Sequence, residues 1–274
     1  MPVNELGKRI LVALLAIPVV FAATLWGRAA FLILVDIILT FMLWEFYSLT
    51  EHKGFFPSKF SGIPAVLLIS CELYFYHGRW LKELLFVIFL ITLLVELFRG
   101  KKHPLINTAI TIFGILYVSL FSSLLLIREM PVYSDIAYQT GGWIVILVFS
   151  TIWLCDTGAY LYGAKFGKHK LFKRVSPKKT WEGAIAGFLT GIAAAVGLHF
   201  VLVPSLSVFD SVVIGIIVGV MGQISDLVES LFKRDAGVKD SSGILPGHGG
   251  FLDRFDSPLL VGPFVYIYLV FFGF

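Results

Sequence analysis

Residues 107–128 read NTAITIFGILYVSLFSSLLLIR, twenty-two positions with no charge until the closing Arg128. About 20 mostly apolar residues cross the hydrocarbon of a bilayer as a helix, so this stretch predicts a membrane span rather than a core helix. Moving outward, comparable apolar runs recur near 10–26, 29–49, 62–77, 80–98, 141–163, 182–203, 210–232 and 256–273, giving nine expected spans. A chain of 274 residues that is 58% hydrophobic and 15% charged, with mean hydropathy +0.89, is too apolar for soluble domains and leaves no room for one between the spans. The expected fold is therefore an all-α polytopic membrane bundle. The third run is the weakest, because it is short and carries Glu72 and His77. The first run follows Lys8 and Arg9 without a small-residue cleavage site before Gly27-Arg28, and it reads as a retained span rather than a signal peptide.

The basic residues orient the bundle. With the N-terminus in the cytoplasm, eighteen of the 22 Lys and Arg fall on the cytoplasmic side, and only Arg28, Arg79, Lys82 and Arg128 on the other. This bias predicts an N-terminus inside and a C-terminus outside. It places the loops around Lys102, Lys173 and Gly247 in the cytoplasm, and those around Gly78 and Tyr133 on the opposite side. The net charge of +4 is modest, and much of the cytoplasmic charge suits attraction to anionic headgroups. Cys71 and Cys155 lie inside apolar runs, which excludes a disulfide framework and a zinc site of Cys/His spacing.

The polar information is uneven. Residues 1–128 read as spans without a catalytic motif, and Asp36, Glu45, Glu72 and Glu96 within them have no assigned role. Residues 129–274 read as the catalytic region of the same integral unit, with two dense cytoplasmic loops. In the later loop, Asp226, Glu229 or Ser230, and Lys233 follow helical spacing on one face. Asp253 and Asp256 are three apart and are expected to share a face where the last span begins. Acids at a membrane edge usually face a polar cavity or a partner, and two such helix ends joined by a short loop can converge. Converging carboxylates suit Mg²⁺, whose remaining ligands are commonly substrate phosphates; the alternative for Asp253 and Asp256 is ordinary helix N-terminal acids. The Pro246-Gly-His248-Gly249-Gly250 stretch would let backbone N–H groups approach a phosphate. His248 reads as a phosphate donor, a general acid/base or a plain loop histidine, and Arg254 as a phosphate binder or a partner of the flanking acids.

The earlier loop carries Asp156-Thr-Gly158-Ala-Tyr160, then Ser176-Pro-Lys178-Lys179-Thr180-Trp-Glu182-Gly183. Asp156 sits in apolar sequence, so it either pairs with a base or contributes to a cavity. Gly158 and Gly163 permit close helix packing. The second stretch combines a helix start, hydroxyls and two cations, a set able to neutralise a polyphosphate leaving group. It lacks the GxxxxGK[ST] pattern of a Walker A loop.

Together these residues resemble the CDP-diacylglycerol synthase (phosphatidate cytidylyltransferase) family. Ser230-x-Phe-Lys233-Arg234-(four residues)-Lys239-Asp240-x-Ser242-x-x-Leu-Pro246-x-His248-Gly249-Gly250-Phe-x-Asp253-Arg254-Phe-Asp256 follows the family signature without a gap. The segments Asp156–Tyr160 and Ser176–Gly183 also look like that family, whereas the first five spans match only in being hydrophobic. The resemblance implies transfer of a cytidylyl group from CTP or dCTP to phosphatidic acid, with CDP-diacylglycerol and pyrophosphate as products. It implies a cation held by Asp226, Asp253 and Asp256, with Asp156 a lesser candidate, and a carboxylate number that allows a second cation. Lys178, Lys179, Lys233 and Lys239 become phosphate or pyrophosphate binders, Ser176 and Thr180 supply hydroxyls, and Arg234, Gly249, Gly250 and Arg254 join the substrate contacts. Lys179 and His248 stand with the three acids as catalytic candidates. The expected partners are CTP, phosphatidic acid and the bilayer, with no nucleic acid; a homodimer is allowed. The expected location is a bacterial inner membrane with the site on the cytoplasmic face. Two rivals are a CTP-dependent lipid kinase of the polyprenol kinase type and a transporter, though the repeats typical of transporters are absent. A CDP-alcohol phosphatidyltransferase is disfavoured because Asp-x-x-Asp-Gly-x-x-Ala-Arg does not occur.

Overall fold

A computed structural model describes residues 3–130 and 137–273, with 3–13 described chiefly by their backbone; the loop around Tyr133 and the side chains of Lys8 and Arg9 lie outside the described residues. Helices fall on every predicted apolar run: α1 Val3–Trp26, α2 Arg28–Glu51, α3 Lys59–Tyr76, α4 Leu81–Arg99, α5 Pro104–Ser119 continued by a 3₁₀ turn into α6 Ser123–Glu129, α7 Gln139–Phe166, α8 Trp181–Leu202, α9 Val208–Ile217 continued through a π turn at Val218–Gly222 into α10 Gln223–Asp235, and α11 Leu252–Tyr268. Among the described residues, six helical stretches are long and apolar enough to cross a membrane: Arg28–Glu51, Pro104–Glu129, Gln139–Phe166, Trp181–Leu202, Val208–Asp235 and Leu252–Gly273. The protein is thus an all-α polytopic membrane protein. The described apolar part of α1, Leu14–Trp26, is shorter. Helix α4 holds Lys82, Glu83, Glu96 and Arg99, and α3 is the short run that carries Glu72.

The chain forms two compact units, Met1–Leu126 with Phe232–Phe255, and Ile127–Leu231 with Asp256–Phe274. In the first unit α2 is central. Its buried Leu32, Val35, Leu39, Met42, Phe46 and Leu49 recur at alternating three- and four-residue steps, a stripe that packs against its neighbours. Tyr47 donates its hydroxyl proton to the Thr111 carbonyl at 2.8 Å. Its ring occupies the space where Gly62 of α3 and Gly114 of α5 carry no side chain, so a methyl at either position would collide with it. Phe232 lies edge-on to Phe46, Phe113 and Tyr117 at 5.6–5.8 Å, Phe251 stacks on Phe41 at 4.7 Å, and Phe255 meets Phe121 at 5.7 Å. These aromatics fix the 232–255 segment onto the first unit. The acids left unassigned by sequence have partners here: Asp36 accepts from Ser70, Glu72 from the Trp80 N–H, and Glu96 from Arg99 and Asn107. That satisfies the requirement that an acid within apolar helices find a donor.

In the second unit α7 and α8 pack through small residues. A methyl on Gly183 would stand 2.8 Å from the Ala159 carbonyl oxygen, one on Gly187 2.8 Å from Ala159 Cβ, and one on Gly158 2.8 Å from Thr190 Cβ. The packing role expected for Gly158 and Gly163 is what they have; Gly163 faces Gly183. Such contacts bring backbones close where lipid offers no hydrophobic drive. The all-α expectation misses one feature, a short antiparallel hairpin of β1 Lys170–Phe172 and β2 Ser176–Thr180. Its base is tied by Glu182, which accepts from the Lys168 and His169 N–H groups and from the His169 ring, while Val175 at the tip is buried.

Candidate functional site

The second unit gathers three carboxylates. Asp226 and Glu229 stand one turn apart on α10 and so share a face. Asp256 reaches the same place from α11, and one ligand oxygen from each of the three lies within 4.8 Å of the others. Glu229 is 1% exposed and Asp256 9% exposed. Two side chains set this geometry. Ser225 donates its hydroxyl proton to the Asp256 carbonyl at 2.6 Å, joining the two helices beside the acids. Gln223, just after the π turn, donates to the Gly219 carbonyl at 2.7 Å and to the Ala184 carbonyl of α8 at 3.0 Å, which anchors the start of α10. A π turn inside a helix often marks a functional position. Asp226 also accepts from Ser230 at 3.2 Å and pairs with Lys179 at 2.5 Å. Three carboxylates this close repel one another when ionised, so the arrangement favours a cation. All the donors are hard oxygens, the set that Mg²⁺ takes.

Lys179 comes from β2 of the basic hairpin. Its neighbour Thr180 is 5% exposed and caps α8, accepting the Gly183 N–H at 3.2 Å, so this hydroxyl is engaged as a helix cap. Ser176 is half-buried at the start of β2, and Lys178 is exposed. Asp156 lies on an exposed part of α7 and is not in the carboxylate cluster.

The first unit holds a second acidic centre with different partners. Asp253 Oδ1 pairs with Lys233 Nζ at 2.5 Å, and its Oδ2 accepts the N–H groups of Gly250 at 2.8 Å and Ser241 at 2.9 Å. The helical spacing expected to run from Asp253 to Asp256 is interrupted. Phe255, between them, has φ −119° and ψ 17°, outside the helical range. Pro258 accounts for the break, since it offers no N–H to the Arg254 carbonyl and its ring crowds that carbonyl. The glycine stretch is equally specific. Gly247 and Gly249 have φ of 76° and 84°, and a methyl on Gly250 would strike Ser241 Oγ and the Glu45 carboxylate. The Gly250 N–H is committed to Asp253. His248 is half-buried, with its carbonyl accepting from Arg254 Nε at 2.8 Å. Arg234 donates to the Val238 carbonyl at 2.9 Å, and Lys239 is exposed.

Sequence reasoning grouped Asp226, Asp253 and Asp256 as one ligand set and Lys179 and Lys233 as phosphate binders; the structure gathers Asp226 and Asp256 with Glu229, and it pairs Lys179 with Asp226 and Lys233 with Asp253. Sequence reasoning passed over Glu229 as a ligand, and it missed Glu45. Glu45 is 1% exposed on α2 and accepts from the N–H groups of Phe251 and Leu252 and the hydroxyls of Ser241 and Ser242. The one available signal was its position, an acid inside an apolar span near its end.

Residues 7–272 match the cytidylyltransferase family. The chain is 34% identical over 267 residues to the phosphatidate cytidylyltransferase of Staphylococcus aureus (strain COL), covering 96% of this chain and 98% of the relative. It is 31% identical over 268 residues to that of Staphylococcus haemolyticus, with the same coverage, and 33% identical over 270 residues to that of Staphylococcus saprophyticus. With nearly its whole length matched and the polar motifs inside that match, the chain belongs to the cytidylyltransferase family.

Proposed function

We propose that the protein transfers the cytidylyl group of CTP, or of dCTP, to phosphatidate, giving CDP-diacylglycerol and pyrophosphate. The observation that carries this reading is end-to-end similarity to proteins named phosphatidate cytidylyltransferase. The same similarity disfavours the lipid-kinase and transporter alternatives. A phosphate oxygen of phosphatidate attacks the α-phosphorus of CTP, and the bond from that phosphorus to the α,β-bridging oxygen breaks, so pyrophosphate leaves with the electron pair. The attacking oxygen is already anionic, so no strong base is needed, and catalysis reduces to positioning and charge neutralisation.

Lys179 and Lys178 neutralise the departing pyrophosphate, with Lys179 held by Asp226. Lys233, held by Asp253, and Lys239 bind phosphate, and Ser176, Arg234, His248, Gly249 and Arg254 complete the proposed substrate contacts, with Thr180 and Gly250 shaping the segments that carry them through the helix cap and the Asp253 contact they already make. A bound Mg²⁺ would supply charge neutralisation at the phosphates, and Asp226, Glu229 and Asp256 are the residues whose oxygens fit it best. Asp253 and Asp156 stay proposed ligands on the strength of the motif, and the carboxylate number allows a second cation. The reading places nine spans in a bacterial inner membrane, N-terminus and active face in the cytoplasm and C-terminus outside; the Lys/Arg distribution supports it.

The activity is tested by pyrophosphate release from CTP in detergent, which should require both phosphatidate and Mg²⁺ and should fail with ATP. The orientation is tested by single cysteines in a Cys71→Ser/Cys155→Ser background. An impermeant thiol reagent on intact cells should label position 78 and leave 102, 173 and 247 unlabelled, and labelling of 173 from outside would overturn it.

A further inference from the structure

An ionised carboxylate has about four lone-pair sites, and Glu45 has four donors. Its Oε1 accepts from Ser242 Oγ at 2.6 Å and from the Phe251 N–H at 3.0 Å. Its Oε2 accepts from the Leu252 N–H at 2.8 Å and from Ser241 Oγ at 2.9 Å. The donors come in two pairs from opposite ends of the signature loop, so one side chain from a membrane helix closes residues 241–252 into a ring. Inside that ring lies the Pro246-Gly-His248-Gly stretch.

Ser241 links this closure to Asp253. Its hydroxyl oxygen is 2.9 Å from both Glu45 Oε2 and Asp253 Oδ2, but a hydroxyl has a single proton. Asp253 Oδ2 already accepts two backbone N–H groups, one of them from Ser241 itself, so the proton serves Glu45. The serine is thus held by its hydroxyl on one side and by its N–H on the other. Gly250 leaves no slack, since any side chain there would enter the Glu45 carboxylate.

We propose that Glu45 is a positioning residue for cytidylyl transfer, closing the 241–252 loop and, through Ser241, setting Asp253 and the Lys233 that Asp253 holds. This inference rests on the proposed activity for its kinetic part and on geometry alone for the loop closure. Glu45→Gln keeps the volume but replaces one acceptor oxygen with a donor. Hydrogen bonds to charged groups contribute roughly 1.5–3 kcal/mol, so exchange of the Phe251 and Leu252 amides should quicken about tenfold or more in that variant. Misplacement of a catalytic group by about 1 Å can cost roughly 10²-fold, so kcat should fall by about that factor while KM for CTP moves far less.

The test is a double-mutant cycle of Glu45→Gln with Ser242→Ala, read in kcat, KM and amide exchange on the full-length protein in detergent. Kinetic losses smaller in combination than their product, with faster exchange at 251 and 252, support the proposal. Multiplicative losses, or faster exchange with unchanged kcat, overturn it. If Glu45→Gln does not fold, Ser241→Ala and Ser242→Ala form the cycle, with the same two outcomes. If the wild type transfers no cytidylyl group while Glu45→Gln still loosens 251 and 252, the activity assignment falls and the loop closure stands.

Discussion

Two sets of carboxylates in this protein are built from the same chemistry and treated in opposite ways. In the first unit, Glu45 and Asp253 collect hydrogen-bond donors from a folded loop, and Asp253 adds a lysine. In the second, Asp226, Glu229 and Asp256 turn their oxygens toward one another within 4.8 Å, with Lys179 beside Asp226. The first arrangement uses negative charge to hold backbone in place, so removing it should cost structure. The second accumulates negative charge that a cation would relieve, so removing it should cost function and leave stability intact or improved.

The largest effect is expected for Asp226→Asn and Asp256→Asn. Loss of charge stabilisation worth several kcal/mol corresponds to a fall in turnover of at least about 10³-fold. Their unfolding midpoints in detergent should match or exceed that of the wild type, and a clear drop would erase the contrast between the two sets. Asp253→Asn should behave differently, because it removes the charge that offsets Lys233 in a pair only 6–11% exposed. Breaking such a pair costs roughly 3–5 kcal/mol, so denaturant unfolding should show a loss of that order along with reduced turnover. If Asp253→Asn is as stable as the wild type, Asp253 does not belong with the loop-holding acids. Its Mg²⁺ requirement sharpens the point: a large increase would make it a ligand as well.

Lys179→Ala should lower turnover by about 10²–10³-fold, the usual consequence of losing one electrostatic donor to a developing charge, with the Mg²⁺ requirement near wild type. A strongly raised Mg²⁺ requirement would instead tie Lys179 to the carboxylates alone. The smallest effect is expected for Gly250→Ala, whose methyl would press on Ser241 and Glu45. Overpacking of this kind costs about 1–3 kcal/mol, measurable as a lower unfolding midpoint; an unchanged midpoint would mean that the loop closure is slack.

The six helices long and apolar enough to cross a membrane were legible because each is a run of apolar residues whose length is dictated by the bilayer. The hairpin at Lys170–Thr180 was not, since its strands are only three and five residues long and carry no apolar alternation; Glu182 and a buried Val175 hold it. Asp226 and Asp256 were legible as acids at helix ends. Helical spacing does not carry from Asp253 across Phe255 to Asp256, and Pro258 in the sequence carries the reason for the break. Glu45 was visible as an acid needing a donor, but its donors lie 196–207 residues further along the chain, beyond any local pattern.

The kinetic side of these contrasts presupposes that the reacting atom is the α-phosphorus of CTP. Purified protein supplied with phosphatidate, Mg²⁺ and CTP carrying label at either the α- or the γ-phosphate distinguishes the cases directly. The account predicts that α-label enters the lipid fraction and γ-label leaves as pyrophosphate. Label from the γ-position in the lipid would contradict it and identify a kinase.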